Sequence, residues 1–328
     1  MTPLQLTELR STLPPFPQAA REVPGMPEFC HYYALDAFTG QDALQHSVGT
    51  VPSGPFQLAV HLWQHSAARG TLLLLHGYFD HCGLYGKMIE YGLSRGYNVL
   101  IFDLPGHGLS TGETAVIDDF AAYGKAVADV LAAVELPPQQ PLWVMAQSTG
   151  CASLVEFARS QPWPFSAAVL LAPLVRPTSW TRVRLGHTLL HKFKDSLQRS
   201  FNQNSSDPQF LAFVQQDPLQ SRQLSLRWLG ALRRWLATLP VSDLGVGSVL
   251  VVQGDNDGTV EWRYNINVIV KLFPGSRVEY LAGAGHQLAN ESQALRDTFL
   301  HAVDDYLASV NMGENTNVVT GMDSNPPR

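Results

Sequence analysis

Residues 142–159 read LWVMAQSTGCASLVEFAR, a short apolar run at 142–147 followed by a helical pattern from Cys151 to Arg159. Between the two lies Ala146-Gln147-Ser148-Thr149-Gly150. A serine on such a strand-to-helix turn sits on strained backbone with its hydroxyl exposed above a sheet. Small residues are needed two positions before and after it, because neighbouring backbone passes close by. Gly150 meets this, and Ala146 exceeds the usual glycine by one methyl. The plainer reading is a serine that caps a helix N-terminus. A free hydroxyl is a poor nucleophile and needs a base held by a third group. What decides is whether the rest of the chain supplies them.

Outward from this stretch, short β-branched or Leu-rich runs alternate with longer helical patterns, which predicts an α/β fold with a mostly parallel central sheet flanked by helices. The strand candidates are 56–63, 71–76, 97–103, 142–147, 167–173, 248–253 and 276–281. Continuous apolar runs such as Leu72–Leu75 and Val249–Val252 suit strands covered on both faces. From Arg176 to Pro240 no strand is convincing, while 181–201 and 222–239 read as amphipathic helices. We read 176–240 as a helical cap inserted into a domain spanning 26–311. Residues 1–25 and 312–328 are polar, rich in Pro or low in apolar content, and are expected to be flexible.

In an open parallel sheet the loops at the carboxyl ends of the strands share one edge, so residues far apart in sequence converge there. After strand 248–253 comes Gly254-Asp255-Asn256-Asp257-Gly258, and after 276–281 comes Gly283-Ala284-Gly285-His286. His286 is placed to take the proton of Ser148, with a carboxylate fixing its tautomer. Asp255 and Asp257 compete for that role; Asp257, further out on the loop, is the choice made here. The backbone N–H groups of Thr149 and of Tyr78, in the loop that follows strand 71–76, are the candidate donors to a developing oxyanion. Of eleven histidines, the pairs His61/His65 and His187/His191 are four apart, but neither has the glutamate of a metalloprotease helix. His76 and His107 read as structural. The loop Asp103–Gly112 is not G-x-G-x-x-G and opens no helix, so no nucleotide cofactor is expected, and no metal.

Taken together, His76-Gly77, the Asp103–Ser110 loop, the serine turn, Asp257 and His286 resemble the α/β-hydrolase superfamily over roughly 45–310. The likeness is greatest to the monoacylglycerol lipase and lysophospholipase group, with its DxxGHGxS loop, G-x-x-D acid turn and helical cap. Asp217-Pro218-Leu219 inside the cap is similar as well. This implies a serine hydrolase that cleaves carboxylic esters through an acyl-enzyme on Ser148, with Asp257 as the acid. Ala-Gln-Ser-Thr-Gly departs from the group's Gly-His-Ser-Met-Gly. An amidase or peptidase of the same fold, or a non-catalytic binding protein retaining it, are the alternatives. Ser at 148 disfavours dehalogenase chemistry, which uses a carboxylate nucleophile.

With 328 residues, 45% apolar and 15% charged, the chain is long enough for a large core, yet no apolar run approaches a bilayer span. A net charge of −6 argues against nucleic acid as the main partner. Three cysteines at unrelated spacings, Cys30, Cys82 and Cys151, fit reduced thiols in a cytoplasmic protein. The region 176–240 nevertheless holds ten Lys/Arg against three Asp/Glu. Its Arg182, Arg184, Lys192, Lys194, Arg233 and Arg234 are expected to draw the protein to anionic lipid surfaces or to acidic substrates. Its Trp180, Phe193, Phe201, Trp228 and Trp235 are expected either to line an acyl tunnel or to hold the cap on the sheet.

Overall fold

The computed structural model describes residues 1–16, 23–38, 44–137, 139–201 and 203–319. Its strands are β1 (Leu44–Ser53), β2 (Phe56–His65), β3 (Thr71–Leu75), β4 (Asn98–Phe102), β5 (Leu142–Gln147), β6 (Ala167–Leu171), β7 (Ser196–Gln198), β8 (Gln223–Ser225), β9 (Leu250–Gly254) and β10 (Arg277–Leu281). The helices are α1 (Pro3–Thr12), α2 (Met26–Tyr32), α3 (Gly86–Ser94), α4 (Ala121–Ala133), α5 (Thr149–Ser160), α6 (Trp180–Leu190), α7 (Pro208–Gln216), α8 (Leu226–Thr238), α9 (Trp262–Leu272) and α10 (Gln293–Val319).

Eight strands form one sheet in the order β1-β2-β4-β3-β5-β6-β9-β10. From β4 to β10 every neighbouring pair is parallel; only the β1–β2 hairpin and its junction with β4 are antiparallel. Alternation along the strands explains why both faces need cover. Leu72, Leu74, Val99, Ile101, Met145 and Val252 point to a core shared with α3, α10 and the N-terminal helices. Leu73, Leu75, Leu100, Phe102, Val144 and Val251 point to the opposite core, shared with α4, α5, α8 and α9. The expected α/β architecture is therefore present.

Several local expectations differ from what is observed. The region 176–240 does contain strands, β7 and β8, which are only three residues long and pair with each other, too short to show a period in sequence. The helix expected over 181–201 stops at Leu190, because the chain must extend to build β7, and α7 forms where none was expected. At the N-terminus, Pro3–Thr12 is a helix closed by a capping box at Thr2 and Gln5, and its Leu6 and Leu9 are buried. Two apolar residues three apart suffice to seat it on the body. Arg10 adds hydrogen bonds to the carbonyls of Gly108 and Leu109. At the other end α10 runs to Val319, past the expected start of the tail, and 17–22 and 320–328 lie outside the described residues.

The insertion between β6 and β9 is tied to the body at two places. Helix α8 buries Leu226, Trp228, Leu229, Leu232 and Trp235 on one face. The Trp235 ring stacks on Phe120, and the indole N–H groups of Trp228 and Trp235 donate to Tyr123 Oη and Glu156 Oε1. Those two tryptophans therefore hold the insertion down. The second tie is ionic. Asp217, just after α7, lies 2.8 Å from His81 Nε2 with both side chains fully enclosed, and Tyr33 Oη donates to it at 2.7 Å. Burial pushes the His81 imidazolium down, but the Asp217 carboxylate outweighs this and holds it above its ordinary value. Burial likewise pushes Asp217 up, and His81 reverses it, so that carboxyl sits below its ordinary value.

Because His81 is raised and Asp217 lowered, the pair stabilises fully between their ordinary values of 3.8 and 6.5. The contribution fades as pH rises through the folded-state value of His81 or falls through that of Asp217. Asp217→Ala is expected to cost about 3–5 kcal/mol in urea unfolding near pH 5, with a smaller loss near pH 9.

Candidate active site

Ser148 follows the last residue of β5 and precedes α5, with φ 52° and ψ −110°. A non-glycine residue there is strained by on the order of 1–3 kcal/mol, and the end of β6 holds it in place. Its N–H donates to the Leu171 carbonyl at 2.9 Å, and its carbonyl accepts from Leu174 and Cys151. The turn is tight enough that a methyl added at Gly150 would lie 2.4 Å from the Leu75 carbonyl oxygen, so only glycine fits two residues on. At the other flank Ala146 is fully buried within the strand, and its methyl is accommodated.

The structure brings Ser148, Asp257 and His286 together. His286 Nε2 lies 2.9 Å from Ser148 Oγ, and His286 Nδ1 lies 2.8 Å from Asp257 Oδ2. Asp257 accepts three further hydrogen bonds, from the backbone N–H of Thr259 and Val260 and from Gln253 Nε2. These, with His286, hold its carboxyl below the ordinary value although burial pushes it up. Burial depresses the His286 imidazolium, but the Asp257 carboxylate prevails and raises it above 6.5. Asp255 takes a different part: its Oδ1 accepts from Gly283 N–H and so ties the acid loop to the histidine loop. The two loops touch where a methyl at Gly254 would meet the carbonyls of Ala284 and Gly285 at 2.3 and 2.4 Å.

The Tyr78 and Thr149 N–H groups donate to no other group among the described residues. Their loops meet at the serine, since a methyl at Gly77 would lie 3.4 Å from Ser148 Cβ. His76 fixes the first loop: its Nδ1 bonds to the Gly77 carbonyl and its Nε2 accepts from Leu104 N–H. Asp103 takes up the N–H groups of Cys82 and Leu109, which pins the neighbouring loop. His187 bonds to the Leu226 carbonyl and to Arg233, and His61 to His46, so neither four-residue pair gathers as a metal site. All three cysteines are buried and free.

Four positioning residues carry no motif that a sequence displays. Gln147 Nε2 donates to the His286 carbonyl at 2.8 Å, and Gln253 bonds to Asp257. Gln287, next to His286, donates to both oxygens of the buried Asp80. Beside these loops a cavity of about 370 Å³ opens between β7, α7 and the neighbours Thr259 and Gln287 of the site, lined by none of Ser148, Asp257 and His286 themselves. Phe79, Phe201, Val214 and Leu224 give it apolar walls, and Asp80 and Arg199 its charges. The backbone of Asn204, part of the insertion, accepts from Gln287 N–H and closes one side.

A doubly covered parallel sheet with a serine turn, an acid loop and a histidine loop at its carboxyl edge defines the α/β hydrolases. Residues 66–293 match the model of the Hydrolase_4 family, described as serine aminopeptidase S33, and the chain belongs to that family. It is 27% identical to the monoglyceride lipase of Mus musculus over 274 residues, 75% of this chain and 85% of that protein. Phospholipase YtpA of Bacillus subtilis is 24% identical over 70% of this chain and 93% of its own length. A soluble variant of monoglyceride lipase from Saccharomyces cerevisiae, solved with a substrate analog, superimposes with a TM-score of 0.70 at 16% identity, covering 83% of this chain and 97% of that one. The protein is a carboxylic ester hydrolase related to the monoglyceride lipases.

In the folded protein the His286 imidazole should titrate above 6.5 by NMR, because Asp257 outweighs burial. Asp257→Asn should drop it below that value, since burial then prevails; an unmoved titration would contradict the assigned pairing.

Proposed function

We propose that the chain cleaves lipid-like carboxylic esters, of monoacylglycerol or lysophospholipid type, through an acyl-enzyme on Ser148. The observation that carries this reading is the unbroken relay from Ser148 Oγ to His286 Nε2 and from His286 Nδ1 to Asp257, at 2.9 and 2.8 Å. Ser148 Oγ attacks the ester carbonyl carbon while its proton passes to His286 Nε2. Asp257 stabilises the resulting imidazolium and keeps the ring in the productive tautomer. The oxyanion is met by the N–H groups of Tyr78 and Thr149, each donor of this kind lowering the barrier by about 3–4 kcal/mol. The C–O bond then breaks, and the leaving alcohol takes the proton from His286. Water, deprotonated by the same imidazole, attacks the acyl-enzyme and releases the carboxylic acid and free Ser148.

The family's description favours a second reading, cleavage of aminoacyl amides. Against it stands the cavity, whose walls are mostly apolar and whose acid, Asp80, is already bonded to Gln287. The insertion 176–240 acts as the cap in this reading. It also offers a lipid-facing side: Leu185, Leu189 and Phe193, four apart, are 62, 62 and 83% exposed. Arg182, Arg184, Lys192 and Lys194 flank them in sequence and are exposed, whereas Arg233 turns in to His187 and Thr188. Apolar and cationic side chains together suit an anionic membrane surface. Among the described residues no helix is long and apolar enough to cross one.

Monoacylglycerols, lysophospholipids, aryl esters and aminoacyl amides, assayed beside Ser148→Ala, test the chemistry. The substitution is expected to lower kcat by about a millionfold; turnover surviving it would contradict the reading. Since the base must be neutral and its imidazolium is held above 6.5, kcat/KM should rise with pH through a value above 6.5. Sedimentation with vesicles is expected to require anionic lipid, to weaken with salt and to fall in Phe193→Ser. Binding indifferent to all three would contradict the membrane-facing side.

A further inference from the structure

Arg199 stands at the end of β7, on the wall of the cavity beside the triad loops. Its guanidinium lies over the Phe79 ring, 3.9 Å from the centroid, and over the Phe201 ring at 4.4 Å. Nη1 donates to Gln220 Oε1 at 2.7 Å and to the Ser221 carbonyl at 3.2 Å. Both acceptors are uncharged. Among the described residues Arg199 forms no ion pair, and Nε and Nη2 donate to no protein acceptor. The one acid on the same wall, Asp80, spends its carboxylate on Gln287 Nε2 and Tyr85 Oη.

A second cation lies nearby. The Arg222 guanidinium is 5.0 Å from the Phe201 centroid and bonded to the Gln215 carbonyl, so Arg199 has a like charge close by, and the Asp80 carboxylate attracts it at longer range without bonding to it. Desolvating a cation without an anion is unfavourable, and burial lowers the Arg199 guanidinium to about 10. The fork is held at one nitrogen and stacked on two rings, which leaves Nε and Nη2 without a protein acceptor on a side chain that lines the cavity. The edge they form matches an anion with two oxygens, accepting two parallel N–H bonds.

Resting on the ester-hydrolase reading of this site, we propose that Arg199 determines specificity by binding a two-oxygen anion carried by the ester substrate. A lysophospholipid supplies such an anion as its phosphodiester, and an acyl chain ending in an acid supplies it as a carboxylate. A plain monoacylglycerol supplies neither. The cap thus selects charged esters over neutral ones, and Phe79 and Phe201 keep the guanidinium aimed while the apolar walls take the hydrocarbon.

Two matched pairs test this and separate the two sources of the anion: lysophosphatidylglycerol against a monoacylglycerol of the same chain, and mono-4-nitrophenyl adipate against 4-nitrophenyl hexanoate. In at least one pair the wild-type kcat/KM should favour the anionic member by about tenfold or more, the worth of a charged hydrogen bond. Arg199→Gln should erase that preference, and Arg199→Lys, which keeps the charge without the fork, should retain part of it. The pair whose ratio responds identifies the source. The ratio is internal to each variant, so a cap merely loosened by the substitution slows both members alike and leaves the ratio standing. A ratio unaffected by Arg199→Gln, or a wild-type preference for the neutral member of both pairs, would overturn the inference. If Arg199→Gln does not fold, Arg199→Lys decides: an undiminished preference there overturns the inference, and a severalfold loss supports it. Failure of the wild type to hydrolyse all four esters would instead contradict the hydrolase reading itself, and the inference with it.

Discussion

The site depends on one strained backbone position. Ser148, at φ 52° and ψ −110°, is forced by the junction of β5 with α5 to project its hydroxyl over the carboxyl edge of the sheet. The strain is offset by hydrogen bonds to the end of β6, through the Leu171 carbonyl and the Leu174 N–H. Because the parallel strands share one edge, the loops after β3, β9 and β10 arrive at the same place, and each brings one part of the proposed site. The cost of the turn is distributed over the strongest part of the fold, its central strands.

Two buried histidine–aspartate pairs lie close to this edge, and their settings distinguish them. In the His286–Asp257 pair the second ring nitrogen faces a serine hydroxyl, and in the proposed mechanism the ring changes protonation state there. In the His81–Asp217 pair the second nitrogen faces Gly83 N–H, from which it accepts only while the ring is neutral, and the carboxylate is shared with Tyr33 and Leu219. That arrangement anchors the insertion to the body. The same electrostatics thus serves attachment in one place and, in the proposed mechanism, reactivity in the other, decided by what the second nitrogen meets.

Much of the fold was legible because parallel strands covered on both faces are continuous apolar runs, and β3, β5, β6 and β9 are of that kind. β1 was not, since LQHSVGTVPS mixes His, Gly and Pro, and its ten-residue pairing with β2 is set by the hairpin rather than by its composition. The residues Ser148, Asp257 and His286 stood out through loop position and glycine flanks, and the choice between Asp255 and Asp257 follows from which carboxylate meets the ring. Gln147, Gln253, Gln287 and Asp80 escaped notice, as amides and a lone acid take their meaning only from the partners that folding assembles. β7 and β8 escaped it because three residues carry no period.

In the proposed mechanism His286 and Asp257 make the Ser148 hydroxyl nucleophilic. Labelling the intact protein with a fluorophosphonate and mapping the adduct by peptide mass spectrometry tests it most directly. A single phosphonylated site is expected, Ser148, lost in His286→Ala although Ser148 remains. No adduct at Ser148 in the wild type, or equal labelling without the imidazole, would contradict it.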